Sequence, residues 1–248
     1  GMGDAYRVCS MAGCGIPGHS DGHRRACKIN CPSGIALDAQ EGIWVSDRHS
    51  HCIRRLPGTD EKTPPGKEDD IVTVTGRPRK PDFRNGRLSG ALFNGPAGIC
   101  CGDEGRMFVV DRENHCVRCI TGHSGDSWVT SVCGSQQQES GWRDGEAQQA
   151  LFNRPFGICY AQNRTYYIAD TGNNSIRKLD PTEHVKTVLG AGRELRPGEP
   201  PLLSPMGVCV DGNNCMYVSE WGAHRIRRVQ PDGSSVIVAG SGTKGCMD

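Results

Sequence analysis

The sequence predicts an all-β chain, a β-propeller of four four-stranded blades. Two observations carry this reading: a long segment recurs four times, and each copy holds four short runs rich in β-branched and aromatic residues. A third supports it, because no stretch shows the apolar period of a helix. The 34 glycines and 15 prolines lie along all 248 residues rather than in one tract, as many short strands joined by turns require.

Laid on itself, the chain aligns NCPSGIALD, FNGPAGICCGD, FNRPFGICYAQ and SPMGVCVDG on Pro32, Pro96, Pro155 and Pro205, which are 64, 59 and 50 residues apart. Strand a is the run that follows each proline. Strand b ends at the acids Asp47, Asp111, Asp170 and Glu220, and strand c is the Ile-Arg or Val-Arg run behind each of them. Strand d is the Val/Thr-rich run that closes each unit at glycine: DIVTVTG, SWVTSVCG, HVKTVLGAG and SSVIVAGSG. Gly, Asn, Asp and Pro flank each run, which is strand-and-turn punctuation. Blades are expected over residues 23–86, 87–145, 146–197 and 198–248, preceded by an outer strand and linker over 1–22.

Four antiparallel strands repeated around an axis bury their faces against neighbouring copies. Three residues before each acid stands an aromatic, Trp44, Phe108, Tyr167 or Tyr217, as a wedge between blades requires. A slip of one residue would turn each ring to the wrong face.

The unit Phe-Asn-x-Pro-x-Gly-Ile, then Val-Ala-Asp-x-x-Asn-His-x-Ile-Arg, then Ala-Gly-x-Gly closely resembles the NHL repeat, best in DTGNNSIRKLD (170–180) and DRENHCVR (111–118). The resemblance covers essentially the whole chain and implies a propeller, commonly of six blades. The copies drift: Asn174 stands where the others have His51, His115 and His224, and Glu220 replaces aspartate. AGCGIPGHSD (12–21) and AGSGTKGCMD (239–248) share one phase of the repeat. The chain is therefore expected to be part of a larger propeller, with YRVCSMAG (6–13) a spare outer strand whose blade partners precede residue 1.

A repeat carries its own control, because a residue present in every unit serves the unit, whereas a chemical site needs singular residues. Asp47, His51 and Arg54 mimic an acid–base or metal set, but they return as Asp111, His115 and Arg118, as Asp170, Asn174 and Arg177, and as Glu220, His224 and Arg227. They are read as a network of hydrogen bonds and ion pairs within each blade, with neither metal nor cofactor. The doublets Arg54-Arg55, Arg177-Lys178 and Arg227-Arg228 cannot form one basic stripe, since neighbours on a strand face opposite ways. RNA, which some NHL propellers bind, is therefore the less favoured partner, the more so because the loops also hold Glu113, Asp126, Asp144 and Glu146.

The 14 cysteines suggest a disulfide framework by number but not by position. Cys100, Cys159 and Cys209 share one place on strand a, and Cys52 and Cys116 another on strand c, as small core fillers do. Cys27 and Cys31 form the one plausible bridge. Free thiols in this number favour a reducing compartment, which the sequence does not otherwise specify.

The turns between strands b and c differ from blade to blade: Arg48-His49, Arg112-Glu113, Thr171-Gly172 and Trp221-Gly222. Arg48, His49, Arg112, Glu113 and Trp221 are the expected contact residues of a face that binds a protein or peptide. The insert over 57–70 reads as a solvated loop. The alternative is an enzyme resembling the metal-dependent peptidyl-amidating lyases or lactonases, but strand a offers only Asp38, Asp103 and Asp211 near its ends, and no histidine. A formal net charge of +1 gives no global pull toward nucleic acid. No run reaches the ~18 apolar residues of a membrane-spanning helix.

Overall fold

The computed structural model describes residues 9–58, 66–67, 69–192, 194 and 198–245. It is all-β, with four antiparallel sheets arranged as the blades of a propeller. The first blade holds β1 (Gly22–His23), β2 (Pro32–Leu37), β3 (Ile43–Asp47), β4 (Cys52–Leu56) and β5 (Asp70–Gly76). The second holds β6 (Gly86–Arg87), β7 (Pro96–Cys101), β8 (Met107–Asp111), β9 (Cys116–Ile120) and β10 (Trp128–Cys133). The third is β11 (Gly145–Glu146), β12 (Ile158–Ala161), β13 (Thr165–Asp170), β14 (Ser175–Leu179) and β15 (His184–Gly190). In the fourth are β16 (Pro205–Val210), β17 (Met216–Glu220), β18 (Arg225–Val229) and β19 (Ser235–Ala239).

Each sheet runs in chain order from its inner strand outward. The first three gain a two-residue fifth strand outside the d strand, which is too short to leave a period in the sequence. The expected spare strand over 6–13 lies partly outside the described residues, and its described part, 9–13, is not strand. Residues 59–65 and 68 of the 57–70 insert also lie outside them.

The core sits between blades rather than within them. Trp44 of the first blade packs with Ile99, Met107 and Val109 of the second. Phe108 of the second packs with Ile158 and Ile168 of the third, its ring 4.3 Å from that of Tyr166. Tyr167 leans on a third cluster in which Val208 and Val218 meet Ala169 and Ile176. The aromatic of strand b is thus the wedge at each of the three seams.

Toward the axis, the glycine of Pro-x-Gly lets the inner strands touch. A Cβ on Gly98 would fall 2.5 Å from Phe156 O and 3.0 Å from Gly157 Cα, and one on Gly157 would fall 2.1 Å from Met206 O. Gly98 N–H donates to Phe156 O across the seam (2.8 Å). In the last blade the equivalent Gly207 would meet only its own blade's Ser219.

The two outer faces of the row are bare. Ile99, Ile158 and Val208 are 5%, 8% and 9% exposed under the preceding blade, whereas the equivalent Ile35 of the first blade is 70% exposed. Val236, Ile237 and Val238 of β19 are likewise exposed.

Candidate functional site

The repeated charged residues form one arrangement four times. The carboxylate that ends strand b accepts a backbone N–H from the loop leading into strand a: Asn30 to Asp47, Asn94 to Asp111, Asn153 to Asp170 (each 2.8 Å) and Leu203 to Glu220 (3.1 Å). The same carboxylates receive the buried arginines Arg54 (3.0 Å), Arg118 (2.8 Å), Arg177 (2.8 Å) and Arg227 (2.7 Å). Each arginine reaches on to a carbonyl of that incoming loop, as Arg118 does to Arg84 O (2.8 Å). A guanidinium has five donors, so one buried side chain ties strands b and c to a loop that has little ladder of its own beyond single bridges such as Arg84–Leu92. Phe83 and Phe93 sandwich Arg118 at 4.6 and 5.0 Å, and Phe152 covers Arg177 at 4.8 Å. Burial pushes the Asp111 carboxyl up to about 6 against Arg118, Asn114 and the Asn94 N–H, which hold it charged near neutrality.

The residue after each b–c turn does something different. His51, His115, Asn174 and His224 all have left-handed backbone, with φ of 56°, 54°, 48° and 49°, a region that His and Asn enter more readily than most residues. From there the first three side chains cross to the next blade. His51 Nδ1 accepts the N–H of Gly95 (3.0 Å), His115 Nδ1 that of Arg154 (3.0 Å), and Asn174 Oδ1 that of Ser204 (2.7 Å). Each donor is the residue just before the blade's proline. An accepting Nδ1 fixes the neutral Nε2–H tautomer. Burial accordingly lowers the pKa of His51 and His115.

Hydrogen bonds put the variable turns at the same end of each blade as the loop entering strand a. His49, Glu113, Gly172 and Trp221 donate N–H to Asn30, Asn94, Asn153 and Ser204 O (2.8–3.1 Å). On that face Arg48, Arg112 and Glu113 come together. Glu113 pairs with Arg112 and, at 3.1 Å, with Arg154 Nε of the third blade. Arg48 lies 5.9 Å over the Phe156 ring. Burial lowers the Arg112 pKa, as do the charges of Arg48 and Arg154, against the pull of Glu113. His49 is exposed beside the group. Trp221, 69% exposed, stands apart in a hollow of the fourth blade with Met206, His224 and Arg225. Sequence reasoning missed Arg154 and Phe156, which look like scaffold in FNRPFG. The available signal was that the residue before proline is Cys31, Gly95 and Ser204 elsewhere, and arginine only here.

The acids near the ends of strand a lie at the opposite, a–b end. Asp38 accepts from Trp44 Nε1 (2.8 Å) and pairs with Arg55 (2.7 Å), Asp211 accepts from Cys215 N (2.9 Å), and Asp103 accepts from the Tyr160 hydroxyl. Among the described residues no three His, Cys, Asp or Glu side chains are grouped to hold a metal ion. Cys27 and Cys31 are free thiols rather than a bridge; the Cys27 thiol donates to Arg24 O (3.2 Å) and Cys31 is exposed. No helix among the described residues is long and apolar enough to cross a membrane.

This scaffold defines a repeat propeller whose charged networks recur and whose turns vary. The NHL repeat model matches residues 30–56, 93–120 and 152–179, so three of the four blades carry an NHL repeat. Protein SUPPRESSOR OF QUENCHING 1, chloroplastic, of Arabidopsis thaliana is 34% identical over 157 residues, 60% of this chain and 14% of that protein. NHL repeat-containing protein 2 of Bos taurus is 26% identical over 216 residues, 76% of this chain and 29% of that protein. The chain thus spans less than a third of the length of these curated relatives. Among solved structures, an auxiliary nutrient binding protein from Bacteroides ovatus superposes with a TM-score of 0.61 at 18% identity, over 82% of this chain and 48% of that one. A streptogramin B lyase does so at 0.52 and 16%, over 83% and 53%. At these identities the structures share the fold.

Proposed function

We propose that this propeller is a non-catalytic scaffold that binds a protein or peptide on the face built from the b–c turns and the loops entering strand a. What supports this most is the contrast between that face and the rest of the blade. The carboxylate–arginine network holds the turns in the same position four times, yet their side chains change from Arg48-His49 to Arg112-Glu113 to Thr171-Gly172 to Trp221-Gly222. Trp221, a large amphipathic ring held in the open on a rigid turn, has the character of an interface anchor. The test is affinity capture from cells with the wild-type protein and a Trp221→Ala, Arg112→Ala double variant. Loss of specific partners at an unchanged melting temperature is expected, and retention of every partner by the variant would sink the proposal.

A further inference from the structure

Three arginines from three successive blades come together on the b–c face, two of them paired with one carboxylate and the third resting on an aromatic ring. Arg48 comes from the first blade, Arg112 with Glu113 from the second, and Arg154 from the third. Packing fixes their approach. A Cβ built on Gly95 would lie 3.2 Å from Glu113 Cγ and 4.0 Å from Arg48 Cγ, so Gly95 lets the two turns close over the start of the second blade. Arg154 is anchored through its backbone, whose N–H is held by His115.

Charge in this cup does not balance. Glu113 serves Arg112 and Arg154 together, and no carboxylate among the described residues pairs with Arg48, whose guanidinium rests on Phe156. Two positive charges are left over. Phe156 also lines the cavity between the inner strands, with Gly98, Ile99 and Ile158, so the surplus charge sits beside that opening. Guanidinium forks match the two oxygens of a carboxylate, and flat partly desolvated arginines on an aromatic ring hold one more tightly than a solvated ammonium would.

We infer that Arg48, Arg112 and Arg154 form a carboxylate-binding cup on the b–c face, which receives an acidic segment of a peptide. This rests on the b–c face being the binding face. A peptide is favoured over single-stranded RNA because RNA is tracked by an extended basic groove with bases stacked along it. Here the charge is one compact cluster broken by Glu113.

The test uses the whole chain and a fluorescein-labelled hexaglutamate peptide, read by anisotropy, with hexaglutamine and an oligouridylate as comparisons. Hexaglutamate is expected to bind and hexaglutamine not. An Arg48→Gln, Arg154→Gln double variant should weaken binding about tenfold or more, the cost of losing charge-assisted hydrogen bonds. Arg25→Gln, an exposed arginine outside the cup, should leave it unchanged. Hexaglutamate affinity that ignores the double substitution would overturn the cup. So would an oligouridylate that binds more tightly than hexaglutamate and is lost on the same substitutions. Cellular partners that depend on Trp221 but not on Arg48 and Arg154 would remove the cup and leave the binding face. Hexaglutamate binding that needs both arginines, with partners indifferent to Trp221 and Arg112, would do the reverse.

Discussion

His115 accepts the backbone N–H of Arg154 through Nδ1, and by that bond the second blade holds the first turn of the third. His51 does the same to Gly95, and Asn174 makes the equivalent bond to Ser204 with an amide oxygen. The repeat thus uses a titratable and a non-titratable acceptor for one purpose.

Acid should loosen the two histidine seams. Protonation converts Nδ1 from acceptor to donor, and burial has already lowered the pKa of both histidines from 6.5. The unfolded histidine therefore takes up its proton first, so stability is full above that ordinary value and declines as pH falls through it toward the lower folded value. Around His51 stand His49 and Asp47, and around His115 stand Glu113, Arg112 and Arg154. Asp111 and Asp170, raised by burial, act in the opposite direction in acid, so the comparison must hold them constant. A His51→Asn, His115→Asn variant keeps the acceptor as Asn174 does. Urea unfolding from pH 8 to 5 should show the wild type losing ground to it, and parallel curves would refute the mechanism.

The close approach of inner strands predicts a contrast between two glycines. Gly98→Ala would drive a methyl into Phe156 O and strain the Gly98–Phe156 hydrogen bond, costing about 1–3 kcal/mol as overpacking does. Gly212 has nothing within 4 Å of such a methyl, so Gly212→Ala should stay within about 0.5 kcal/mol of wild type. Equal midpoints in chemical denaturation would contradict the tight central stack.

Breaking a blade's buried pair should be among the most damaging single changes. Arg118→Leu leaves Asp111 charged and buried with only Asn94 N–H and Asn114 to hold it, and it takes one donor from each of the Leu92 and Arg84 carbonyls, which keep the backbone bonds they exchange. The expected loss is about 3–5 kcal/mol. Adding Asp111→Leu should recover part of it, which a double-mutant cycle reads directly. No recovery would mean that the arginine's carbonyl bonds, not its charge, dominate.

Thiol labelling should read the blade faces. Cys159 is pushed up to about 12 chiefly by burial, whereas Cys209, its equivalent on the fourth blade, is exposed. A brief iodoacetamide pulse at pH 8 followed by peptide mass analysis should modify Cys209, with Cys9, Cys14 and Cys31, while sparing Cys159, Cys116 and Cys133. Protection of Cys209 in the native protein would show that something covers the fourth blade's face.

The sequence by itself determined the blade. Its four copies of Pro-x-Gly, aromatic, acid and Ile-Arg set the strands, their faces and the wedge, because strand periodicity and a repeated pattern are local and leave their mark in residue spacing. It also marked Arg48, Arg112, Glu113 and Trp221 as singular against a repeated background. Only the tertiary structure decided what those residues meet. Two-residue strands such as Gly22–His23 carry no period to read. The reach of His115 into the next blade depends on a left-handed backbone and on a neighbour 39 residues away in sequence. Arg154 joins the cup because that same neighbour's hydrogen bond holds its backbone against the turn of the second blade. Whether two charges repel, pair or wait for a third is fixed by distance across a seam, and that distance has no signature along the chain.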